Sequence, residues 1–100
     1  MLNVKSRARK QNVGLTIPVA TRQARKIVDE IMPGVGATVE SRGSADPATL
    51  ERVIITTITF PGNMSKSVKF SLWTQLASMP GAQRAGALDS ARITVTRSVR

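Results

Sequence analysis

One hundred residues are enough for a single domain, and they carry 15 Lys plus Arg against 6 Asp plus Glu, a formal net charge of +9. With no Cys, His or Tyr in the chain, disulfides, thiolate chemistry, Cys/His zinc sites and an imidazole base are excluded. No apolar run approaches the roughly 20 residues that cross a bilayer as a helix, and the surplus of cations calls for a polyanionic partner.

Lys5, Arg7, Arg9 and Lys10 crowd the start of the chain, and no acid occurs before Asp29. Residues 1–11 have no usable periodicity and are expected to form a basic arm ahead of a single α+β domain over 12–100. The basic start and Val13–Val19 have the outline of a targeting peptide, but the apolar stretch is short and holds Thr16 and Pro18, so an arm is the expectation. Val13, Leu15, Ile17 and Val19 alternate with Asn12, Gly14, Thr16 and Pro18. That spacing predicts a half-buried strand, which Pro18 places at an edge. Thr21 then suits an N-cap, and Ala24, Ile27, Val28 and Ile31 recur at i, i+3, i+4 and i+7 as an amphipathic helix that Pro33-Gly34 ends.

Val35, Ala37 and Val39 suggest a short strand. Residues 41–47 read as a loop, with Asp46-Pro47 capping one helical turn through Leu50. The nearly all β-branched run from Val53 to Phe60 is a central strand. Pro61-Gly62 fits a type II turn, and beyond it Val68, Phe70 and Leu72 alternate with Lys69, Ser71 and Trp73 as a hairpin partner. Residues 78–90 are expected to be loop, and Ile93, Val95 and Val99 alternate with Arg92, Thr94, Thr96 and Ser98 in a last strand. The sum is an α+β fold: a mainly antiparallel sheet of about five strands in β-α-β-β-β-β order, with one amphipathic helix packed on one face. An aliphatic interior of this size is marginal alone, so a homo-oligomer is expected.

Three features bear on function. Lys5, Arg7, Arg9 and Lys10 would neutralise phosphates and release counterions, the plainer alternative being a solvated tail. Arg22, Arg25 and Lys26 sit at the start of the expected helix, where cations oppose the macrodipole. A phosphate there would meet them together with free backbone N–H groups, although Arg25–Asp29 and Lys26–Glu30 are equally well placed as ordinary i,i+4 pairs. Lys69, Ser71 and Trp73 with Arg92, Thr94 and Thr96 would share the polar face of the C-terminal sheet. Trp73 could stack a base, but a subunit contact, together with Phe60, is the stronger reading.

Gly34-Val35-Gly36 follows a helix and terminates it rather than cradling a nucleotide. No other catalytic or metal motif occurs, so no enzyme activity, cofactor, metal or small-molecule substrate is expected. The expectation is a self-assembling structural protein that binds and packages nucleic acid, such as a small viral or phage coat subunit, with RNA favoured over DNA, in a virion or host cytoplasm. The alternatives are a cellular RNA/DNA-binding module of ribosome-associated or plasmid-maintenance type, or a basic protein-binding effector.

Overall fold

The computed structural model describes residues 15–99. They run helix–strand–strand twice: α1 (Ile17–Ile31), β1 (Thr38–Ala45), β2 (Arg52–Thr59), then α2 (Lys66–Ala77), β3 (Ala82–Ala87), β4 (Arg92–Ser98). The strands form one antiparallel sheet in the order β1-β2-β4-β3, so two hairpins lie side by side with β2 against β4. Both helices pack on the same face and share one apolar core. The α+β class and the antiparallel sheet agree with the sequence; among the described residues there are four strands and two helices instead of five and one.

The strand expected across Val13–Val19 is the first correction, with Val13 and Gly14 outside the described residues. Thr16 is the N-cap, accepting from the Val19 amide at 3.4 Å, and the helix starts at Ile17. Pro18 is tolerated because first-turn amides have no intrahelical acceptor to lose. Thr21 is therefore a full turn inside α1, not its cap. Its hydroxyl lies 3.0 Å from the Ile17 carbonyl and donates to Ser41 Oγ at 2.7 Å. Ser41 Oγ in turn lies 2.9 Å from Thr56 Oγ1, so three hydroxyls tie α1 to β1 and β2. Ala20, Ala24 and Val28 form the buried stripe, and Gly34 follows the helix with φ +74°.

β1 runs through the segment expected to be loop. Every residue from Thr38 to Ala45 pairs with β2, in the register Thr38↔Thr59 to Ala45↔Arg52. A β-branched partner strand organises Ser-Arg-Gly-Ser-Ala into a ladder that its own propensities would not select. Asp46 caps a turn, accepting from Ala48 at 2.8 Å and Thr49 at 3.4 Å, but no helix forms through Leu50.

The larger correction is residues 66–77, which are helix and not the hairpin partner of β2. Ser65 caps α2, accepting from Val68 N at 3.3 Å. Val68, Leu72 and Leu76 fit a helical stripe as well as Val68 and Leu72 fit an alternating strand, and the two templates differ at Phe70. In the helix Phe70 points outward and is 66% exposed. Gly62 has no positive φ, so Pro61-Gly62 is not the glycine-dependent type II turn; it leads into α2.

β3 is the strand that composition hides. Ala82, Ala85 and Ala87 pair with the helix-facing Arg97, Val95 and Ile93 of β4, and a register irregularity falls between Ala82 and Arg84. Gly81 starts it with φ +78°, and a Cβ there would stand 3.0 Å from the Ser98 carbonyl, which only glycine avoids without a shift. β4 keeps the expected alternation from Arg92 to Val95 but not beyond it: Thr96 and Arg97 are both buried, and the strand ends at Ser98, short of Val99. Ile58 lies at the centre, wholly buried between Val39 and Ile93, in one core with Val28, Leu72 and Leu76. Phe60, expected at a subunit contact, is 5% exposed and belongs to this core.

Candidate nucleic-acid interface

The fold sends the cations singled out from the sequence to different places. Arg22 and Lys26 are exposed on α1, on the side away from its buried stripe. Arg25 is turned inward: its guanidinium donates to the Ala37 carbonyl at 2.8 Å, a main-chain acceptor between α1 and β1. Arg92 lies on the opposite, open face of the sheet, bonded to Asp89 at 2.8 Å. The expected surface joining Lys69, Ser71 and Trp73 to Arg92, Thr94 and Thr96 does not exist, because α2 sits on the helical layer. Lys5, Arg7, Arg9 and Lys10 lie outside the described residues.

Two of these electrostatic settings have clear causes. Asp89 accepts from the Ala91 amide at 2.8 Å and from Arg92, and these bonds hold its carboxyl below the ordinary value of 3.8. Arg97, unremarked in the sequence, faces the helices and is 3% exposed. It donates to the Pro80 carbonyl at 3.1 Å and to Gln23 Oε1 at 2.7 Å, and burial lowers its guanidinium below the ordinary arginine value. It pins α1 to the start of β3 through neutral acceptors, without a carboxylate among the described residues.

What the structure does bring together is an aromatic and basic flank on α2 and β3. Phe70 and Trp73 stand one turn apart, ring centroids 6.1 Å and planes 41° apart, both substantially exposed. The Trp73 indole N–H donates to the Ala85 carbonyl at 2.9 Å, which fixes the ring against β3 while leaving it 45% exposed. Lys66 and Lys69 precede Phe70 and Trp73 by four residues each, on the same sides of the helix. Arg84 lies beside Trp73 in a shallow depression they line with Ala77, Ala82, Gln83 and Ala85. No acid occurs in the chain between Glu51 and Asp89, so this flank is acid-free in sequence. Phe70 was missed because an alternating reading buries it; a helical reading of 66–77 places it beside Trp73.

The open face of the sheet is a second surface. Ile55, Thr57 and Thr59 with Glu40, Arg42, Leu88 and Arg92 line a shallow hollow of about 600 Å³ there. Its two cations, Arg42 and Arg92, are balanced locally by Glu40 and Asp89, so it is the less basic of the two. Among the described residues no cluster of acids fits a metal ion, and no helix is long and apolar enough to cross a membrane.

No family model matches the chain, and no curated protein or solved structure is significantly similar to it. The functional reading therefore rests on the residues themselves.

Proposed function

We propose that the protein is a non-enzymatic, self-associating structural protein that binds single-stranded nucleic acid, RNA in preference to DNA, in the manner of a small coat subunit. The observation that carries this reading is the exposed Phe70–Trp73 pair flanked by Lys66, Lys69 and Arg84. Neighbouring aromatics present π-faces on which bases stack regardless of sequence, and the cations track the phosphates. The expected basic arm, residues 1–11, would add Lys5, Arg7, Arg9 and Lys10. Stacking fits the open arrangement of unpaired bases better than a duplex, whose faces are hidden.

Binding of a labelled single-stranded RNA oligonucleotide across a salt series tests this. Phe70→Ala should weaken binding by about 1–3 kcal/mol with the salt slope unchanged, since it removes stacking alone. The Lys66→Gln/Lys69→Gln pair should lower the slope by about 1.4, and deleting residues 1–10 by about 3, at roughly 0.7 per phosphate contact. Trp73 is the sole tryptophan, so its fluorescence should quench on binding. Affinity indifferent to salt, with unchanged Trp73 emission, would refute the reading.

A further inference from the structure

The two edges of the sheet are treated differently. β3 is short, contains a register irregularity, carries Arg84, and has its Ala85 carbonyl occupied by the Trp73 indole. These are features that keep an edge from pairing with another chain. β1 shares only the arginine, Arg42, and there Glu40 lies two residues away on the same face. It is eight residues long, has an uninterrupted register with β2, and holds neither Lys nor Pro. Among the described residues no strand lies on its outer side.

The orientation of that outer edge follows from one bond. The Asp46 amide donates to the Glu51 carbonyl at 2.8 Å, so the residues of β1 whose main-chain groups point at β2 are the even-numbered ones. Val39, Ser41, Gly43 and Ala45 therefore turn their N–H and C=O groups outward. An antiparallel copy centred on Ser41 would pair Ser41 with Ser41 and Val39 with Gly43, all hydrogen-bonded positions. The same register sets Glu40 opposite Arg42 twice, once on each side of the two-fold axis. Those are non-hydrogen-bonded positions, where opposed side chains come closest. Glu40 and Arg42 are both exposed on the open face, and neither makes an ion pair among the described residues. Glu40 is also the only acid in any of the four strands.

We infer that β1 is the self-association edge: two copies join β1 to β1 about a two-fold axis at Ser41, giving a continuous eight-stranded sheet held by reciprocal Glu40–Arg42 pairs. This rests on the self-associating part of the function proposed above, and it specifies where the copies meet. It leaves the Phe70–Trp73 flanks at the two far ends of the joined sheet, free for nucleic acid. The contact is self-complementary, as a two-fold interface must be, and charge-neutral within a basic molecule.

Sedimentation velocity on the full chain, with and without a single-stranded RNA oligonucleotide, tests the edge. Glu40→Arg and Arg42→Glu each turn both cross-strand pairs into like-charge pairs and should raise the dimer dissociation constant roughly tenfold or more. The Glu40→Arg/Arg42→Glu double variant restores both pairs with the net charge of +9 unchanged, and should recover wild-type association. Gly43→Pro removes an outward amide, and a Cβ at Gly43 meets nothing within 4 Å, so it should abolish the dimer while leaving the far-ultraviolet circular dichroism intact. If the wild type associates but Glu40→Arg, Arg42→Glu and Gly43→Pro all match it, the edge assignment is wrong and the copies meet elsewhere. Loss of association on deleting residues 1–10, with the charge variants unaffected, would assign the contact to the arm. A wild type that stays monomeric in both conditions overturns the edge and the self-associating reading together.

Discussion

Truncating one isoleucine on each face of β2 tests the orientation of the sheet on which both surfaces depend. Ile58 is wholly buried beneath the helices and pairs with Val39 and Ile93; Ile55 is half-buried on the open face, between Arg42 and Thr96. Ile58→Ala removes three carbons from a closed site, about 2.4 kcal/mol at roughly 0.8 per methylene. Its neighbours sit on two helices and two paired strands, so the vacancy cannot collapse freely, and the cavity should bring the total to about 4 kcal/mol. Ile55→Ala deletes the same atoms beside solvent. It should cost about 1 kcal/mol, because only part of the side chain is buried and no closed cavity forms. A domain of this length is stable by about 5–15 kcal/mol, and each kcal/mol shifts Tm by roughly 4–8 °C, so the two variants should separate widely. Guanidinium unfolding monitored by Trp73 fluorescence and circular dichroism, at several protein concentrations because association adds to apparent stability, reads the difference. Equal losses, or a larger loss at Ile55, would refute the assignment of faces.

Arg97→Met should leave the unfolding midpoint unchanged or raise it. The substitution keeps the apolar stem and removes a desolvated charge whose partners, Gln23 and Pro80, are themselves exposed and can turn to water. A loss beyond about 1 kcal/mol would mean that the two hydrogen bonds outweigh the desolvation. Asp89 should titrate below 3.8 in the folded protein, chiefly through the Ala91 amide and then Arg92. A depressed carboxyl stabilises the fold above its unfolded value, and that contribution disappears as pH falls through the folded value. Carboxyl NMR titration would show this, and a midpoint at or above 3.8 would contradict the β3–β4 loop geometry.

The parts of the fold that were legible had a pattern admitting one reading. β2 and β4 are rich in β-branched residues and pair with strands on both sides, so composition and environment agree. The body of α1 showed its stripe, although Thr16 and not Thr21 begins it. The misread segments were compatible with two periods or with none. Val68 and Leu72 satisfy both helix and strand, and the choice turns on Ser65 as a cap. β1 beyond Val39 and β3 are mostly Ser, Gly, Ala and polar or charged residues; they are strands because β2 and β4 offer them ladders.

The amino-acid sequence alone established the charge surplus, the acid-free first 28 residues and the absence of cysteine and histidine chemistry, since these are sums over residues that folding leaves untouched. It also marked Trp73, Lys69 and the basic arm as groups to watch. Only the tertiary structure decided which of them meet: it buried Phe60 and Arg97, engaged Arg25 with a carbonyl, set Phe70 beside Trp73 and, among the described residues, placed β1 at an outer edge of the sheet. Such pairings depend on which faces two elements turn toward each other, and a single helix-for-strand exchange at residues 66–77 keeps Leu72 buried but turns Phe70 outward beside Trp73.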